Sequence, residues 1–292
     1  MPDKIVSLSL GVFVYNEEKN IETLLKSIDN QETEKVKIEE VIVISSGSYD
    51  KTNELVTKWS KRSKKVKLVT QLTRKGKASA INLFLNQAKS PVVVTVSGDL
   101  RLHKKAIEEI GGVFLDDEVG MAGAHPVPSN TKSSNIGEEI KILWELHHQI
   151  ALISPKCGEM VAFRNIVRQI PHDSAVDEAT LEVLLKIIGY TIVYVPRSIV
   201  YNKGPKTVRE FIKQRRRVYT GHQWVAQKYN YRVVTMQSNQ VSNVISSYVF
   251  SNPKSLVPML KLMVYELIAR SLGWIDYHIF SKNPYMWNMI SR

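Results

Sequence analysis

Three groups of polar side chains stand where they could do chemistry. A single carboxylate, Asp99, follows the valine-rich run VVVTVSG, and two adjacent carboxylates, Asp177 and Glu178, begin the helix-like run DEATLEVLLKIIGY. Gln214 and Arg217 are three residues apart in a basic helical run, so they share one helix face. Carboxylates can bind a divalent cation or accept a proton, and a guanidinium can bind phosphate through two hydrogen bonds. The structural alternatives are a loop-starting Asp99 and first-turn acids that favour the helix dipole.

The elements that must position these residues alternate between strand-like and helix-like runs. The apolar runs IVSLSLGVFVY, EEVIVIS, VKLVTQ and PVVVTVS are each followed by a helix-like run within the first 115 residues. This alternation predicts an α/β fold with a mainly parallel central sheet flanked by helices. The near-continuous valine and isoleucine indicates strands that are buried on both faces.

Ligands of such sheets bind beyond the carboxyl ends of the strands, so the residues there are candidates for a site. In chain order they are Tyr15, Asn16, Glu17, Ser45, Ser46, Lys77, Ser97 and Asp99. Neither GxGxxG after the first strand nor a P-loop is present, which argues against a dinucleotide site of the Rossmann type.

Seven motifs occur in the order typical of one enzyme family. They are YNEE at 15–18, SSGSYDKT at 45–52, GKASAIN at 76–82, SGD at 97–99, GEMVAFR at 158–164, DEATLEVLLKIIGY at 177–190 and QRRRV at 214–218. Through this ordered set, residues 5–222 resemble the GT-A glycosyltransferases, specifically the inverting family 2 that uses nucleotide-sugar donors. The resemblance implies the GT-A (nucleotide-diphospho-sugar transferase) fold over residues 1–230, followed by a helical, amphipathic C-terminal region over 231–292.

The resemblance also implies roles for individual residues. Donor binding is expected of Val14, Tyr15, Asn16, Glu17, Ser45, Ser46, Lys77, Gly98 and Asp99. Acceptor binding is expected of Gly158 and Glu159. Catalysis by a single displacement is expected of Asp177 or Glu178 as the general base, with Gln214 and Arg217. Neighbouring helical residues point about 100° apart, so we expect only one of the two carboxylates to face the sugar, and Asp177 is favoured.

The same comparison implies a divalent cation, Mg²⁺ or Mn²⁺, on the donor diphosphate. Asp99 would hold it, and His222 is a further candidate ligand. Ser97 stands where the family has the first acid of its metal motif, so the cation should bind weakly until the diphosphate arrives. Ser45 and Ser46 stand where relatives have acids that contact the base. Val218 replaces the family's tryptophan, which favours single transfer over polymer synthesis.

Two further groups have an ordinary explanation beside a functional one. His147 and His148 are adjacent without a third residue at metal spacing, so they are expected to be packing or surface residues. Their position before the strand-like run MVAFR would nevertheless suit an acceptor pocket, and His148 is the candidate acceptor-binding residue. Arg215 and Arg216 are expected to form a solvated basic face of their helix.

Composition narrows the partners. The 40 lysines and arginines against 28 acids give a net charge of +12, which favours anionic partners. The single cysteine excludes an intrachain disulfide, and the basic strands lack the interleaved aromatic residues that a nucleic-acid-binding module would carry. We therefore expect a nucleotide-sugar donor, a lipid, lipid-linked or glycan acceptor, and no nucleic acid.

The N-terminus has no signal-peptide pattern, and no long apolar run could span a membrane. The expected location is cytoplasmic, with peripheral contact of the amphipathic C-terminal region to the inner face of the membrane. The alternative function is a non-catalytic nucleotide-sugar or glycan-binding module on the same fold, which the serines at 45, 46 and 97 would suit.

Overall fold

A computed structural model describes residues 4–236 and 238–285 of the chain. Strands β1 to β8 of this part are Val6–Val14, Val36–Ser46, Val66–Gln71, Val92–Ser97, Arg101–Leu102, Val119–Pro128, Met160–Arg164 and Thr191–Asn202. Helices α1 to α9 are Ile21–Asp29, Thr52–Ser60, Lys77–Leu85, Ala106–Gly112, Gly137–Ile153, Asp177–Ile187, Val208–Tyr229, Ser238–Ser251 and Leu256–His278. Residues 237 and 286–292 of the predicted C-terminal region lie outside the described residues.

The eight strands form one sheet in the order β3-β2-β1-β4-β7-β6-β8-β5. The first four strands in this order are parallel to one another, as their alternation with helices predicted. Strand β7 then runs antiparallel to both β4 and β6, while β6 and β8 are parallel. The predicted α/β fold with a mainly parallel sheet is confirmed, and the carboxyl ends of β1, β2 and β4 meet at one edge.

Strands β1 and β4 of the parallel half are buried on both faces, which is why they are largely apolar. Leu10 and Val12 of β1 belong to a core that includes α1, while Phe13 and Ile44 belong to the opposite core with Phe84 of α3. The rings of Phe13 and Phe84 meet edge to face at 5.9 Å. Fully burying side chains of this size contributes about 1.5–3 kcal/mol each. Their burial therefore stabilises the strands whose carboxyl ends carry the candidate site residues.

The second half of the sheet contains two long strands that the strand–helix alternation of the first 115 residues does not predict. The run VGMAGAHPVP was not predicted as a strand but forms β6, because its small residues fit between β7 and β8. The runs TIVYVP and SIVYN together form one strand, β8. Its partner register jumps from Tyr194 to Ile199 opposite Gly123 and His125. Pro196, which cannot donate to the ladder, lies within this irregular stretch.

The C-terminal helices pack on the sheet domain through α5 and α7. Met259 and Leu262 of α9 share a core with Ile140 of α5 and Phe211 of α7. Among the described helices, none combines the length and the apolar content that a membrane crossing requires.

The expectation of a solvated basic face at Arg215 and Arg216 is wrong, because α9 covers that face. The guanidinium of Arg215 is ion-paired with Glu266, and that of Arg216 with Asp276. Both acids lie on the inward side of α9, a contact that could not be seen from the sequence of α7 alone.

Candidate active site

A cavity of about 300 Å³ opens beyond the carboxyl ends of β1, β2 and β4. One wall comes from these strand ends and the start of α3. The opposite wall comes from α5, the segment before β7, the start of α6 and one face of α7. The cavity therefore lies where an α/β sheet of this type is expected to bind ligands.

The strand-end wall depends on a close approach of two backbones. A Cβ atom on Gly98 would lie 2.6 Å from Val14 Cγ1 and 3.0 Å from the carbonyl oxygen of Phe13, so only glycine fits between β4 and β1. This approach brings the buried Asp99 to the cavity, which Glu17 also lines.

Tyr15 stands on the same wall with a guanidinium over its ring. The centre of the Arg74 guanidinium lies 4.2 Å from the ring centroid, within the range of a cation–π contact. Both side chains line the cavity, as does Ser46 at the end of β2. A planar, partly cationic surface of this kind suits a nucleobase or a phosphate.

Three charged side chains meet at the junction of α3 and α6. Lys77 Nζ lies 2.9 Å from Asp177 Oδ2 and 2.9 Å from Glu178 Oε1. Both carboxylates line the cavity and both reach the same ammonium. That only one of them faces the sugar stays a prediction. The 100° between neighbouring residues is bridged by the long side chain of Lys77, which begins α3 and enters between them.

This cluster leaves one carboxylate poised to take a proton near neutral pH. Burial, together with the negative charge of Glu178, raises the pKa of Asp177 to about 6. Burial acts in the same sense on Glu178, but the Lys77 ammonium outweighs it and lowers the pKa of Glu178. Burial opposes the charge of Lys77, yet the two carboxylates outweigh it and raise the pKa of Lys77. Hence Lys77 and Glu178 are charged at pH 7, whereas Asp177 titrates close to it.

Glu159 reaches the cavity from an unusual turn just before β7. Its φ is +60°, and the amide of Met160 donates to the carbonyl of Gly158 at 2.7 Å, which makes Glu159 the central residue of a three-residue turn. Left-handed backbone at a residue other than glycine is strained and concentrates at functional sites. Burial, and then the charge of Glu178, raises the pKa of Glu159.

Helix α7 contributes Gln214 and Arg217, which both line the cavity as their three-residue spacing predicted. Burial lowers the pKa of Arg217 to about 10, although the nearby charges of Glu178, Asp177 and Glu159 oppose the change. The guanidinium is therefore charged at neutral pH and lies within reach of the carboxylate cluster.

Most of the predicted site residues come together in this one cavity. Those that line it are Val14, Tyr15, Glu17, Ser46, Lys77, Gly98, Asp99, Gly158, Glu159, Asp177, Glu178, Gln214, Arg217 and His222. Their contact with a donor or acceptor stays a prediction.

Three predicted residues do not line it. Asn16 lies behind the wall, where its Oδ1 accepts from the amide of Tyr49, and the buried Ser45 donates to Ser48 Oγ at 2.9 Å. His148 faces a separate, smaller cavity, where its Nδ1 is 2.8 Å from Tyr194 Oη and its ring stacks on His125 at 4.1 Å. Asn16 and Ser45 have become structural supports of the strand ends.

Sequence reasoning assigned no role to several cavity residues, among them Trp144 and Lys156, and undervalued His147. Trp144 and Lys156 had no assigned role, and His147 was expected to be a packing or surface residue, yet all three line the cavity. Trp144 and His147 are three residues apart on α5, so their common face could have been noticed. Nothing in the sequence around Lys156 distinguishes it from an ordinary loop lysine.

The residues fit a divalent cation at Asp99 better than at His222. Asp99 supplies a buried carboxylate to the cavity that Glu17 also lines, and Mg²⁺ or Mn²⁺ bound with substrate phosphates needs only one or two carboxylates. Burial and the charges of Lys156, Arg215 and Arg270 lower the pKa of His222 to about 3. Those same positive charges would repel a metal ion there. Among the described residues, no group of three His, Cys, Asp or Glu side chains could hold a metal ion.

The chain matches known proteins over this region. The sequence model of Glycosyl transferase family 2 matches residues 9–164, which is more than half of the chain. Probable glycosyltransferase YdaM of Bacillus subtilis is 27% identical over 248 residues, which cover 77% of this chain and 57% of that protein. Poly-beta-1,6-N-acetyl-D-glucosamine synthase of Staphylococcus epidermidis is 24% identical over 225 residues, covering 73% and 53%. The chain thus spans about half the length of these curated relatives.

Solved structures with a similar fold are nucleotide-sugar transferases. Mannosyltransferase PcManGT of Pyrobaculum calidifontis, in complex with GDP-Man and Mn²⁺, matches with a TM-score of 0.67 at 18% identity over 94% of this chain and 87% of that chain. Glucosyl-3-phosphoglycerate synthase of Mycobacterium tuberculosis, in complex with Mn²⁺ and UDP, matches with a TM-score of 0.52 at 16% identity over 78% and 81%. These likenesses confirm the GT-A fold.

Proposed function

Because the chain belongs to glycosyl transferase family 2, we propose that it moves a sugar from a nucleotide-sugar donor to an acceptor with inversion at the anomeric carbon. The observation that carries this proposal is the Lys77–Asp177–Glu178 cluster, which holds a carboxylate of raised pKa in the same cavity as Asp99 and Arg217. A base, an anchor for phosphate and a cation for the leaving group are the parts that a single displacement needs.

The donor would lie along the strand-end wall. The stacked pair of Tyr15 and Arg74 supports placing the nucleotide there, with its diphosphate next to Asp99. Arg217 would bind the departing diphosphate, because a guanidinium offers two parallel hydrogen bonds to phosphate oxygens.

Asp177 would act as the general base. The acceptor oxygen attacks the anomeric carbon and forms the glycosidic bond while the bond from that carbon to the diphosphate oxygen breaks. The proton of the acceptor hydroxyl moves to Asp177, and the electron pair leaves with the nucleoside diphosphate. Lys77 and Glu178 hold Asp177 in place, and their opposite charges balance each other.

A divalent cation fits the donor side of this proposal. Asp99 would hold it together with the donor phosphates, and when bound it supplies positive charge that stabilises the leaving group.

The proposal is tested by incubating the protein with GDP- and UDP-sugars, with and without Mn²⁺, and measuring release of the nucleoside diphosphate. We expect release that depends on one donor, and the anomeric configuration of the product, read by proton NMR, should be opposite to that of the donor. Tight binding of a nucleotide-sugar without release in the presence of any acceptor would instead indicate a non-catalytic binding module.

We also propose that α9 contacts the surface of an anionic membrane, so that a lipid or lipid-linked acceptor reaches the cavity. Most of the exposed residues of α9 are apolar, including Leu260, Leu267 and Trp274, while Lys261, Ser271 and His278 are the polar ones. The acids of α9 are turned inward onto arginines, so no acidic side chain on this helix stands among the exposed ones. An apolar helix face free of negative charge, in a chain of net charge +12, suits anionic headgroups.

A further inference from the structure

The wall of the cavity opposite the strand ends carries a cation without a carboxylate partner. Lys156 lies in the short segment between α5 and β7, half-buried, and its Nζ is 3.4 Å from His147 Nδ1. Within the part of the chain that the structure describes, no carboxylate lies within 4 Å of this ammonium. Lys77, across the same cavity, has two.

The negative charges of Glu266, Glu159 and Glu178 act on Lys156 from a distance, while Glu266 and Glu178 are paired with other cations. An ammonium can only donate, so His147 Nδ1 must accept, and the ring proton then sits on Nε2. Burial, and then the charges of Lys156 and Arg215, lower the pKa of His147 well below its usual value, so the ring is neutral. Arg215 is already paired with Glu266, which leaves Lys156 as the positive charge to be matched.

The ammonium stays charged under ordinary conditions. Burial and the charge of Arg215 lower the pKa of Lys156 to about 8, so it is mostly protonated at pH 7. A half-buried ammonium without a carboxylate in direct contact is costly, and an anion that enters the cavity and contacts it would lower that cost.

We propose that Lys156 and His147 form a subsite for a phosphoryl group carried by the acceptor. This inference rests on the proposed function and names the acceptor's chemical class. Because Lys156 contacts His147 and not the Lys77–Asp177–Glu178 cluster, the phosphoryl group lies beside the reacting hydroxyl and anchors it. Trp144, whose ring meets that of His147 edge to face at 5.4 Å, provides an apolar surface next to the anion.

The subsite is tested by calorimetric titration of the full chain with inorganic phosphate in phosphate-free buffer. Phosphate can also enter the donor side, so the quantity of interest is the part of the affinity that depends on Lys156. We expect Lys156→Met to weaken phosphate binding at least tenfold, and Lys156→Arg to restore most of it. Lys37→Met, which removes one exposed charge, should bind as the unchanged chain does. Equal binding by Lys156→Met, or an equal loss in Lys37→Met, would overturn the subsite.

Two arms identify the source of the phosphoryl group. Glycerol phosphate is compared with glycerol, and vesicles containing phosphatidic acid are compared with phosphatidylcholine vesicles. Binding that is lost in Lys156→Met in the first arm indicates a soluble acceptor, and in the second a lipid acceptor. Neither arm showing such a loss would contradict the proposal. Release of nucleoside diphosphate by the unchanged chain tests the proposed function separately, so a failed subsite and a failed function give different results.

Discussion

Asp177 sets the expected pH dependence of the reaction. Its pKa of about 6 is raised above the usual value, so as the proposed general base it would be charged and active above pH 6 and protonated and inactive below it. We expect kcat/KM to reach a plateau above about pH 7 and to fall about tenfold per pH unit well below pH 6. Asp177→Asn should lower kcat by about 10²–10⁴ and remove this acid limb.

The matched control is Asp173→Asn, an acid of the preceding turn that is half exposed and does not line the cavity. It should leave the profile in place. Full activity of Asp177→Asn would contradict the role of a base and would indicate that an already ionised phosphate oxygen attacks.

Lys77 should control the position of that acid limb. Its ammonium is 2.9 Å from both carboxylates, so Lys77→Met leaves two like charges facing each other. We expect the acid limb of kcat/KM to move upward by one pH unit or more, and Lys77→Arg to move it back. The exposed neighbour Lys75, changed to Met, serves as the control for loss of charge. An unshifted limb in Lys77→Met would show that the ammonium does not govern Asp177.

Some of the residues of the candidate site could be predicted from the sequence, and others could not. The strand ends and the two acids of α6 could be placed by motif order, because each motif lies at the end of an element whose period is readable. The proposed role of Lys156 could not be predicted, because it depends on which side chains surround the ammonium in the folded protein. Gln214 and Arg217 could be placed on a common helix face. The pairing of Arg215 with Glu266 could not be predicted, because the two residues are 51 positions apart in the sequence.

At the scale of elements, α7 and α9 are joined by largely buried ion pairs. Glu266 binds Arg215 and also accepts from Arg270 Nε at 3.1 Å, with 17% of its side chain exposed. Glu266→Gln would leave two guanidinium groups without a counter-charge, so we expect it to lower the free energy of unfolding by about 3 kcal/mol. Urea unfolding followed by circular dichroism measures this.

The control for this substitution is Glu39→Gln, whose partner Lys37 is exposed. It should unfold at the same urea concentration as the unchanged chain. A similar midpoint for Glu266→Gln would mean that α9 contributes little to the stability of the sheet domain.

The elements predicted from sequence were those with a strong period. The four strand–helix units of the parallel half could be predicted, because valine-rich strands and amphipathic helices follow from burial alone. Strand β6 could not, since glycine, alanine and proline dominate it and its place is decided by β7 and β8 on either side. The continuity of β8 through Pro196 depends on an irregular register with β6, which no local pattern reveals.

At the scale of the whole molecule, the exposed face of α9 should bring the protein to a membrane. We expect the chain to sediment with vesicles that contain anionic lipid more than with phosphatidylcholine vesicles. Leu260→Glu combined with Leu267→Glu should abolish sedimentation, because it puts two negative charges on the apolar face.

Leu72 is even more exposed than these two leucines and lies outside α9, so Leu72→Glu combined with Leu152→Glu is the control. It should sediment as the unchanged chain does. If the α9 variant binds vesicles normally but changes from dimer to monomer by light scattering, the face covers a second copy of the chain instead.

The cavity is assembled from two consecutive stretches of chain, one ending at Asp99 and the other beginning at Leu143. The antiparallel pair of β4 and β7 joins them inside one sheet. The two stretches do not alternate along the sequence. A chimera with one junction between β4 and β7 would therefore exchange one wall of the cavity and keep the other. We therefore expect chimeras with a relative, joined in that interval, to inherit the nucleotide preference of one parent and the acceptor preference of the other. The order of these stretches along the chain would thus allow donor specificity and acceptor specificity to be exchanged independently.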